Sequence, residues 1–379
     1  MEDNSQATLE FDEDRQVMAK EYQRRAIVLT LLGLALFSLA AFAALPSALS
    51  LRLESWALSF SGSPWIVVAL YVTPAYLLLT LLALPLRIIG RRSDLRFKLT
   101  KQSWHSWALD RLKSAAFGLL FTLVLAEALY WSIRGFGSLW WLVFWGLATA
   151  FAIATGYLAP VILLPLFYKV RKVENASLVE RLHELAGRAG IRALGVYEFD
   201  SSAKTERGTA GLAGLGATRR ILLSDHILRN YSAREVEGIL AHELGHHMQR
   251  DTAIYLLLTA SLSLLALFLS DIFVRSTAPL FGISSISQVS TLPLFALFTV
   301  AFYTATGPLT RYVSRKREAR ADMIGAKLCG DPASLASALV KLHDQNLADA
   351  TPHPLIEALF YTHPAGRRRV RALLSHTIP

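Results

Sequence analysis

The sequence predicts a mainly α-helical protein, a polytopic bundle of six transmembrane helices joined to a polar domain of helices and a small β-sheet. Hydrophobic residues make up 53% of the 379 residues and charged residues only 18%, whereas soluble domains carry about a quarter charged residues. The hydrophobic residues also form six runs close to the length of about 20 residues that crossing a bilayer requires. This composition argues against a disordered chain and against an ordinary soluble enzyme.

Six apolar runs are the predicted spans. They are Ala26–Leu45, Pro64–Ile89, Ala115–Trp131, Leu139–Phe167, Thr252–Val274 and Leu292–Val313. The first run follows Arg24 and Arg25 and could be mistaken for a signal peptide. It is longer than an h-region of about 7–15 residues, so we interpret it as an uncleaved anchor.

The distribution of charge predicts the orientation. Only three of the 39 Lys and Arg residues, Arg52, Arg134 and Arg275, lie in the segments 46–63, 132–138 and 275–291. Because Lys and Arg collect on the cytoplasmic side of membrane proteins, we expect both termini and both long polar segments in the cytoplasm. The net charge of +10 would suggest nucleic acid in a soluble protein. Beside spans, anionic lipid headgroups account for it, so membrane lipids are expected partners and nucleic acid is not.

The spans divide the chain into five regions. We predict an acidic N-terminal tail over 1–25, a four-span membrane region over 26–168 and a polar segment with a metal-binding helix over 169–251. A two-span hairpin over 252–313 and a second polar segment over 314–379 follow.

Two acids inside apolar runs, Glu127 and Asp271, lie within about a turn of the non-cytoplasmic ends, which favours a structural interpretation. The single cysteine, Cys329, excludes a disulfide framework.

The first polar segment, residues 169–251, is predicted to contain both helices and strands. The patterns predict a helix over Ser177–Ala189, a strand over Gly195–Phe199 and a strand over Arg219–Leu223. The glycine-rich stretch Gly208–Gly216 fits either a flexible loop or an edge strand with a bare backbone. Ser232 and Glu235 form a capping box that opens a helix running through Gln249.

That helix carries the sequence His242-Glu243-Leu244-Gly245-His246. Histidines four residues apart share one face of a helix, so both imidazoles can reach one Zn²⁺ ion at about 2.0–2.1 Å. Glu243 is offset to one side, where a carboxylate can take a proton from bound water. This H-E-x-x-H arrangement is typical of zinc peptidases.

A catalytic zinc needs a third protein ligand. Glu318 and Asp322 are four residues apart just after the sixth span, on the side of the membrane predicted for His242 and His246. The alternative is that both belong to a charged helix face beside the membrane, together with neighbouring Arg and Lys residues. The spacing alone leaves the two interpretations open.

Five further motifs accompany the H-E-L-G-H sequence. They are Arg220-Ile-Leu-Leu-x-Asp225, Ser314-Arg-x-x-Glu318-x-x-x-Asp322, Tyr361-x-His363-Pro364-x-x-x-x-Arg369, Tyr157-Leu-Ala-Pro160 and the basic loop after Leu84-Pro85. With these motifs, which follow one another along the chain in the family's order, the chain resembles the integral-membrane zinc endopeptidases of the CAAX prenyl protease type I family, which are gluzincins. The resemblance covers most of the chain from about residue 64.

The resemblance implies a role for each matching residue. His242, His246 and Glu318 would hold one zinc ion, and Glu243 would activate water. Asp322 would orient a zinc-binding histidine, while His363 and Arg369 would line the site and His363 would stabilise the oxyanion. In the family the spans enclose a large chamber, the zinc faces into it at membrane level, and the substrates are peptides with a lipidated C-terminal cysteine. Together with the charge asymmetry, the resemblance predicts a gluzincin domain on the cytoplasmic side of this protein.

Two departures from the family pattern stand out. The family has seven spans and this sequence predicts six, with the first missing. Family members also carry a His-x-Asn-Ala pattern on the edge strand that aligns the substrate backbone, whereas Arg207 and Thr209 stand at the His and Asn positions here. We still expect Thr209, Ala210 and Gly211 to contact a peptide through backbone groups, with an altered substrate preference.

Three functions follow from this pattern. The first is metal-assisted hydrolysis of peptide or protein substrates, with C-terminal processing of the CAAX type by resemblance. The second is a zinc protease that clears damaged membrane proteins, which the absence of the aligning Asn favours. The third, a non-catalytic zinc-stabilised membrane scaffold, gives Glu243 no purpose.

Overall fold

The computed structural model describes residues 9–191, 195–214 and 219–375, and the chain is mainly helical. The α-helices of the first half are α1 (Glu13–Ala43), α2 (Leu49–Phe60), α3 (Pro64–Arg96), α4 (Trp104–Phe136), α5 (Trp140–Leu158), α6 (Leu164–Phe167) and α7 (Ala176–Arg188). Those of the second half are α8 (Asp225–Asn230), α9 (Ala233–Met248), α10 (Asp251–Thr277), α11 (Leu292–Cys329), α12 (Pro332–Asn346), α13 (Pro354–Phe360) and α14 (Gly366–Ser375). The strands are β1 (Val170–Lys172), β2 (Val196–Phe199), β3 (Ala210–Ala213) and β4 (Arg220–Ser224).

Five helical stretches of the described chain are long and apolar enough to cross a membrane: Glu13–Ala43, Pro64–Arg96, Trp104–Phe167, Asp251–Phe281 and Val289–Cys329. The stretch Trp104–Phe167 contains two of the six predicted spans. It breaks at Gly137, whose φ of +52° suits glycine. The rings of Phe121 in α4 and Phe151 in α5 then meet with centroids 5.3 Å apart, so this stretch folds back as a hairpin.

The long helices pack in a closed ring. Helix α1 contacts α3, α3 contacts α4, α4 contacts α5, α5 contacts α10, α10 contacts α11, and α11 returns to α1. One contact in this ring joins Trp140 of α5 to α10, through a 2.6 Å hydrogen bond from its indole Nε1 to Asp271 Oδ1. Arg275 also donates to Asp271, so Asp271 has a structural role.

The polar segment between α6 and α10 forms a four-stranded sheet in the order β1-β2-β4-β3. Strands β2 and β4 and the helices α7 and α9 are confirmed close to their predicted bounds. The glycine-rich stretch contains β3, which pairs antiparallel with β4 at the edge of the sheet, while residues 215 and 216 of the stretch lie outside the described residues. Strand β1 was not predicted. Leu182, Leu185, Ile221, Leu223 and Leu244 are among the buried side chains that join this sheet to α7 and α9.

The N-terminal region differs from the predicted acidic tail over 1–25. Helix α1 begins at Glu13, well before the apolar run, and Asp12 caps it by accepting from the Arg15 N–H. Phe11 is buried in a hydrophobic cluster with side chains of α12 and α14. The sequence does not predict this packing, because the segment is mostly acidic and exposed. Its buried apolar residue contacts side chains that lie more than 300 residues later in the chain.

Helices α9 and α11 approach each other unusually closely. A Cβ atom at Gly325 would lie 2.8 Å from the His242 nitrogen, and one at Gly245 would lie 2.7 Å from the Ala321 oxygen. Both neighbours are main-chain atoms, which cannot move aside as a flexible side chain can. The two glycines therefore set the distance between these helices.

We expect Gly325→Ala to destabilise the protein by about 1–3 kcal/mol, the usual range for overpacking a tight contact. The measurement is the thermal unfolding midpoint of the purified protein in detergent. Gly187→Ala in α7 is the matched control, since a Cβ there meets nothing within 4 Å. Equal midpoints for the two variants would contradict the role given to the close approach.

Candidate metal centre

Three side chains converge where α9 crosses α11. The Nε2 atoms of His242 and His246 lie 3.2 Å apart. Glu318 of α11 places Oε2 3.4 Å from His242 Nε2 and Oε1 3.3 Å from His246 Nε2. Four-residue spacing on α9 brings the two imidazoles together, and the glycine contact between the helices brings the carboxylate to them. Glu318 thus joins the histidines as the sequence-predicted ligand set requires.

The spacing of these donor atoms fits a metal ion. Ligands about 2.0–2.1 Å from a tetrahedral ion lie about 3.3 Å from one another, which matches the three distances. In addition, Glu318 Oε2 is buried and has no hydrogen-bond partner in the described chain. A buried carboxylate oxygen without a partner is costly, and a cation at the common point of the three groups would satisfy it.

A second layer of contacts holds His242. Its Nδ1 lies 2.8 Å from Asp322 Oδ1, and Arg369 donates two hydrogen bonds of 2.7 Å to the Asp322 carboxylate. Burial opposes protonation of His242, but the carboxylates of Asp322 and Glu318 outweigh it and raise the pKa of His242 to about 10 in the metal-free protein. Arg369 is buried and acts on Asp322, and its Nη2 lies 3.7 Å from Glu318 Oε2.

His246 has an equivalent partner that the sequence reasoning missed. Its Nδ1 lies 2.7 Å from Asp251 Oδ2, and Arg317 donates to the other oxygen of Asp251. Asp251 is the first residue of α10, five positions after His246, and Arg250 between the helices adopts a positive φ of 58°. The sequence did carry a signal: Asp251 lies between the predicted end of the H-E-x-x-H helix at Gln249 and the predicted start of the fifth span at Thr252.

Glu243 lies beside the two histidines, next to the edge strand. A Cβ atom on Gly211 of β3 would be 3.9 Å from Glu243 Oε2, so a glycine here leaves the carboxylate open toward the strand. Burial raises the pKa of Glu243. Ala210 and Gly211 therefore lie on the strand that borders Glu243, and Thr209, which is exposed, directly precedes that strand.

His363 approaches from the segment between α13 and α14. Its Nε2 lies 3.2 Å from Glu318 Oε1, and its side chain is 55% exposed, so it lies on the open side of the metal centre. Arg315 of α11 donates to the carbonyl oxygens of Glu357 and Tyr361, at 3.0 and 2.8 Å, and so fixes the end of α13 from which His363 follows.

The geometry agrees with comparisons to known proteins. Residues 172–377 match Peptidase family M48, and residues 6–169 match the family described as CAAX prenyl protease N-terminal, five membrane helices. Within residues 9–169 the structure has four long helices and the 12-residue α2.

Individual relatives come from bacteria and yeasts. The chain is 28% identical over 359 residues to "Uncharacterized metalloprotease YhfN" of Bacillus subtilis, covering 93% of this chain and 84% of that protein. It is 28% identical to "Probable CAAX prenyl protease 1" of Schizosaccharomyces pombe, over 73% of this chain but only 59% of that protein. It is 31% identical to "Protease HtpX" of Legionella pneumophila, over 54% of this chain and 76% of that protein.

A solved structure shares the fold. The crystal structure of S. mikatae Ste24p superposes with a TM-score of 0.84 at 21% identity, covering 96% of this chain and 89% of that chain. Because the Peptidase family M48 match spans more than half of the residues and includes the whole metal centre, the chain belongs to Peptidase family M48.

Proposed function

We propose that this protein is a membrane-embedded zinc endopeptidase in which His242, His246 and Glu318 hold one Zn²⁺ ion and Glu243 is the general base. The observation that carries the proposal is the triangle of three ligand groups. The two imidazole Nε2 atoms are 3.2 Å apart, and the Glu318 carboxylate lies 3.4 Å from His242 Nε2 through Oε2 and 3.3 Å from His246 Nε2 through Oε1. Glu243 adjoins this triangle without belonging to it. A purely structural zinc site would be closed by a fourth protein ligand. Among the described residues, the donor atoms that all lie within 4.8 Å of one another come from His242, His246 and Glu318, and His363, whose Nε2 is 3.2 Å from Glu318 Oε1, is not one of this set.

Bound zinc would polarise the scissile carbonyl and lower the pKa of a bound water toward about 7. The side chains do the rest of the chemistry. Glu243 accepts the proton of the attacking water and passes it to the leaving amine nitrogen. His363 Nε2, on the open side, donates a hydrogen bond to the developing oxyanion. Asp251 lies at hydrogen-bond distance from His246 Nδ1, and the Asp322 carboxylate lies 2.8 Å from His242 Nδ1. A carboxylate beside each Nδ1 atom leaves both Nε2 atoms free to bind metal.

Arg369 acts as a positioning residue in this scheme. It is buried and makes a bidentate contact with Asp322, so it reaches the metal ligands through Asp322 and supplies positive charge close to Glu318. Substrate contact is assigned to the segment Thr209, Ala210 and Gly211, because β3 is the edge strand of the described sheet and lies beside Glu243, where an extended peptide can add as a further strand. Within this segment Ala210 presents its main-chain groups to the added strand, whereas those of Thr209 and Gly211 face β4.

For the membrane we propose six crossings, one each for α1, α3, α4, α5, α10 and α11. The hairpin of α4 and α5 and the closed ring of helix contacts support this count, and the ring can enclose a chamber. The asymmetry of Lys and Arg supports cytoplasmic placement of the termini and the metal centre. The regions 26–168 and 252–313 then form the membrane part, and 169–251 and 314–379 the catalytic part.

For the substrate we propose C-terminal processing of lipidated peptides, of the kind named for the CAAX prenyl protease relatives. The alternative is quality control of membrane proteins by the same chemistry. Thr209 favours the alternative, since it stands where the family has its substrate-aligning Asn and carries no amide.

We expect Glu243→Gln to retain one zinc per chain and to lose peptidase activity by at least about 10²-fold, the lower range for removing a general base. Metal content by mass spectrometry and cleavage of a quenched fluorescent peptide are the two measurements. Full activity in a variant that retains zinc would rule out the assigned role.

We expect Asp251→Asn to weaken zinc affinity by about 10–100-fold, because the amide no longer holds His246 as the carboxylate does. Zinc affinity is measured by competition with a chelator of known affinity. Asp271→Asn in the same helix is the matched control, since Asp271 contacts Trp140 and Arg275 far from the metal centre. The idea fails if both variants bind zinc as the unmodified protein does.

We expect a farnesylated C-terminal peptide to be cleaved with a kcat/KM at least about tenfold above that of its unmodified twin. Such a ratio corresponds to about 1.4 kcal/mol, well within what burial of a prenyl chain supplies. The assay compares the two peptides at matched concentration in the same detergent. Equal values would point to quality control.

A further inference from the structure

The outer edge of β3 offers only a short pairing surface. Ser224 N–H donates to the Thr209 carbonyl at 2.8 Å, and the register pairs Gly211 with Leu222 and Ala210 with Leu223. Because hydrogen-bonded and non-hydrogen-bonded pairs alternate in an antiparallel ladder, Thr209 and Gly211 face β4 with their main-chain groups. Those of Ala210 and Leu212 face outward, where an added strand would bind.

The next outward-facing residue before Ala210 is Gly208, and it is already occupied. The side-chain amide of Asn346, the last residue of α12, accepts from the Gly208 N–H at 3.0 Å and donates to the Gly208 carbonyl at 3.2 Å. One amide group thus makes both bonds that a neighbouring strand would make. The adjacent Gln345 donates to the Glu206 carbonyl at 2.7 Å, so the end of α12 covers this edge for several residues.

Gly208 allows this contact because it has no side chain. A Cβ atom there would lie 3.1 Å from Gln345 Oε1 and 3.2 Å from Leu342 Cδ2, tighter than ordinary packing. The residue is buried, so the end of α12 fits directly onto the backbone of the strand entry.

We propose that Asn346 ends the substrate-pairing edge of β3 and thereby limits how many residues can follow the scissile bond. The inference rests on the proposed peptide hydrolysis and names a specificity-determining residue for it. A peptide added antiparallel to β3 has its C-terminal part at the Thr209 end. Glu243 adjoins Gly211, which is three residues after Gly208. An extended peptide of about three residues, at about 3.3 Å per residue, therefore fits between the scissile bond and Asn346.

The charge beyond the stop favours this direction of the peptide. A cavity of about 420 Å³ adjoins Arg207 and is lined by five cations, Arg87, Arg91, Arg111, Lys204 and Arg207, against the two carboxylates of Asp94 and Asp110. Asp110 pairs with Lys204 at 2.7 Å and Asp94 lies 3.7 Å from Arg207, so the five cations and two carboxylates of the lining leave an excess of three positive charges. Arg91 is only 4% exposed and donates to Thr100 Oγ1 at 2.7 Å. Such a field attracts a terminal carboxylate and repels a terminal ammonium group.

The test compares Asn346→Ala with Asn346→Asp. The Ala variant frees the N–H and the carbonyl of Gly208 for pairing with a substrate. Because every second residue of a strand faces the same neighbour, one more outward-facing residue on the β3 side makes room for two more residues of the peptide. The Asp variant keeps an acceptor for the Gly208 N–H and fills the same space. The substrates are matched peptides with three, five or seven residues after the same cleavage site, identified by mass spectrometry of the products.

We expect the unmodified protein and the Asp variant to cut the three-residue peptide at least tenfold faster than the five-residue peptide. In the Ala variant the two rates should come within about threefold, with the seven-residue peptide still poor. Asn346→Ser replaces the Ala variant if that protein does not elute as a folded species. The proposal is overturned if Asn346→Ala and Asn346→Ser both show the same dependence of cleavage rate on peptide length as the unmodified protein. It is also overturned if the limit proves to act on the residues before the scissile bond.

Binding separates this inference from the proposed function. The same peptides are titrated by fluorescence anisotropy against Glu243→Gln with and without Asn346→Ala, where no cleavage is needed. A length preference in binding that the Ala change relaxes supports the stop even if the protein proves not to cleave peptides. Cleavage that depends on Glu243 but shows no length preference in either assay refutes the stop and leaves the peptidase intact.

Discussion

The close contact between α9 and α11 is the constraint on which the metal centre depends. A ligand set divided between two helices needs both backbones at a fixed separation, and here Gly245 and Gly325 allow main chain to meet main chain. At that separation a glutamate side chain on α11 spans the gap to both imidazoles, with distances of 3.3 and 3.4 Å. A wider gap would leave Glu318 unable to reach the histidines, and Asp322 would lose His242 at the same time, because both acids project from successive turns of one helix.

The residues that could be predicted from the sequence are those whose partners are local or whose pattern carries chemistry. His242 and His246 are one helical turn apart, so their shared face follows from spacing alone. Glu318 needed the family resemblance, since a charged face beside a span explained the same residues. Membership of that family is confirmed, and so is the mainly helical fold with its small sheet. The number of crossings and the cytoplasmic orientation stay predictions, because they concern a bilayer and not the contacts within the chain.

The features that escaped prediction depend on where the backbone turns or on contacts between distant segments. Asp251 looked like the ordinary first residue of an apolar helix, and only the break at Arg250 turns it back toward His246. Strand β1 is three residues long and is stabilised by pairing with β2, so its sequence carries little signal. Asn346 ends a helix, where Asn is common for local reasons, and nothing nearby in the sequence indicates that its amide meets Gly208, 138 residues earlier.

The N-terminal segment shows how these long-range contacts reinforce one another. Arg15 of α1 donates to the Asp344 carbonyl at 3.0 Å, and Gln23 donates to the Leu347 carbonyl at 3.0 Å, so α1 binds the C-terminal end of α12 on both sides of Asn346. Phe11 packs into the cluster that α12 shares with α14, and α14 carries Arg369. The first helix of the ring therefore holds the same short segment that covers Gly208. A transmembrane helix is in this way tied directly to the strand edge beside Glu243, so the width of the proposed substrate groove depends on the packing of the membrane ring as well as on the catalytic domain.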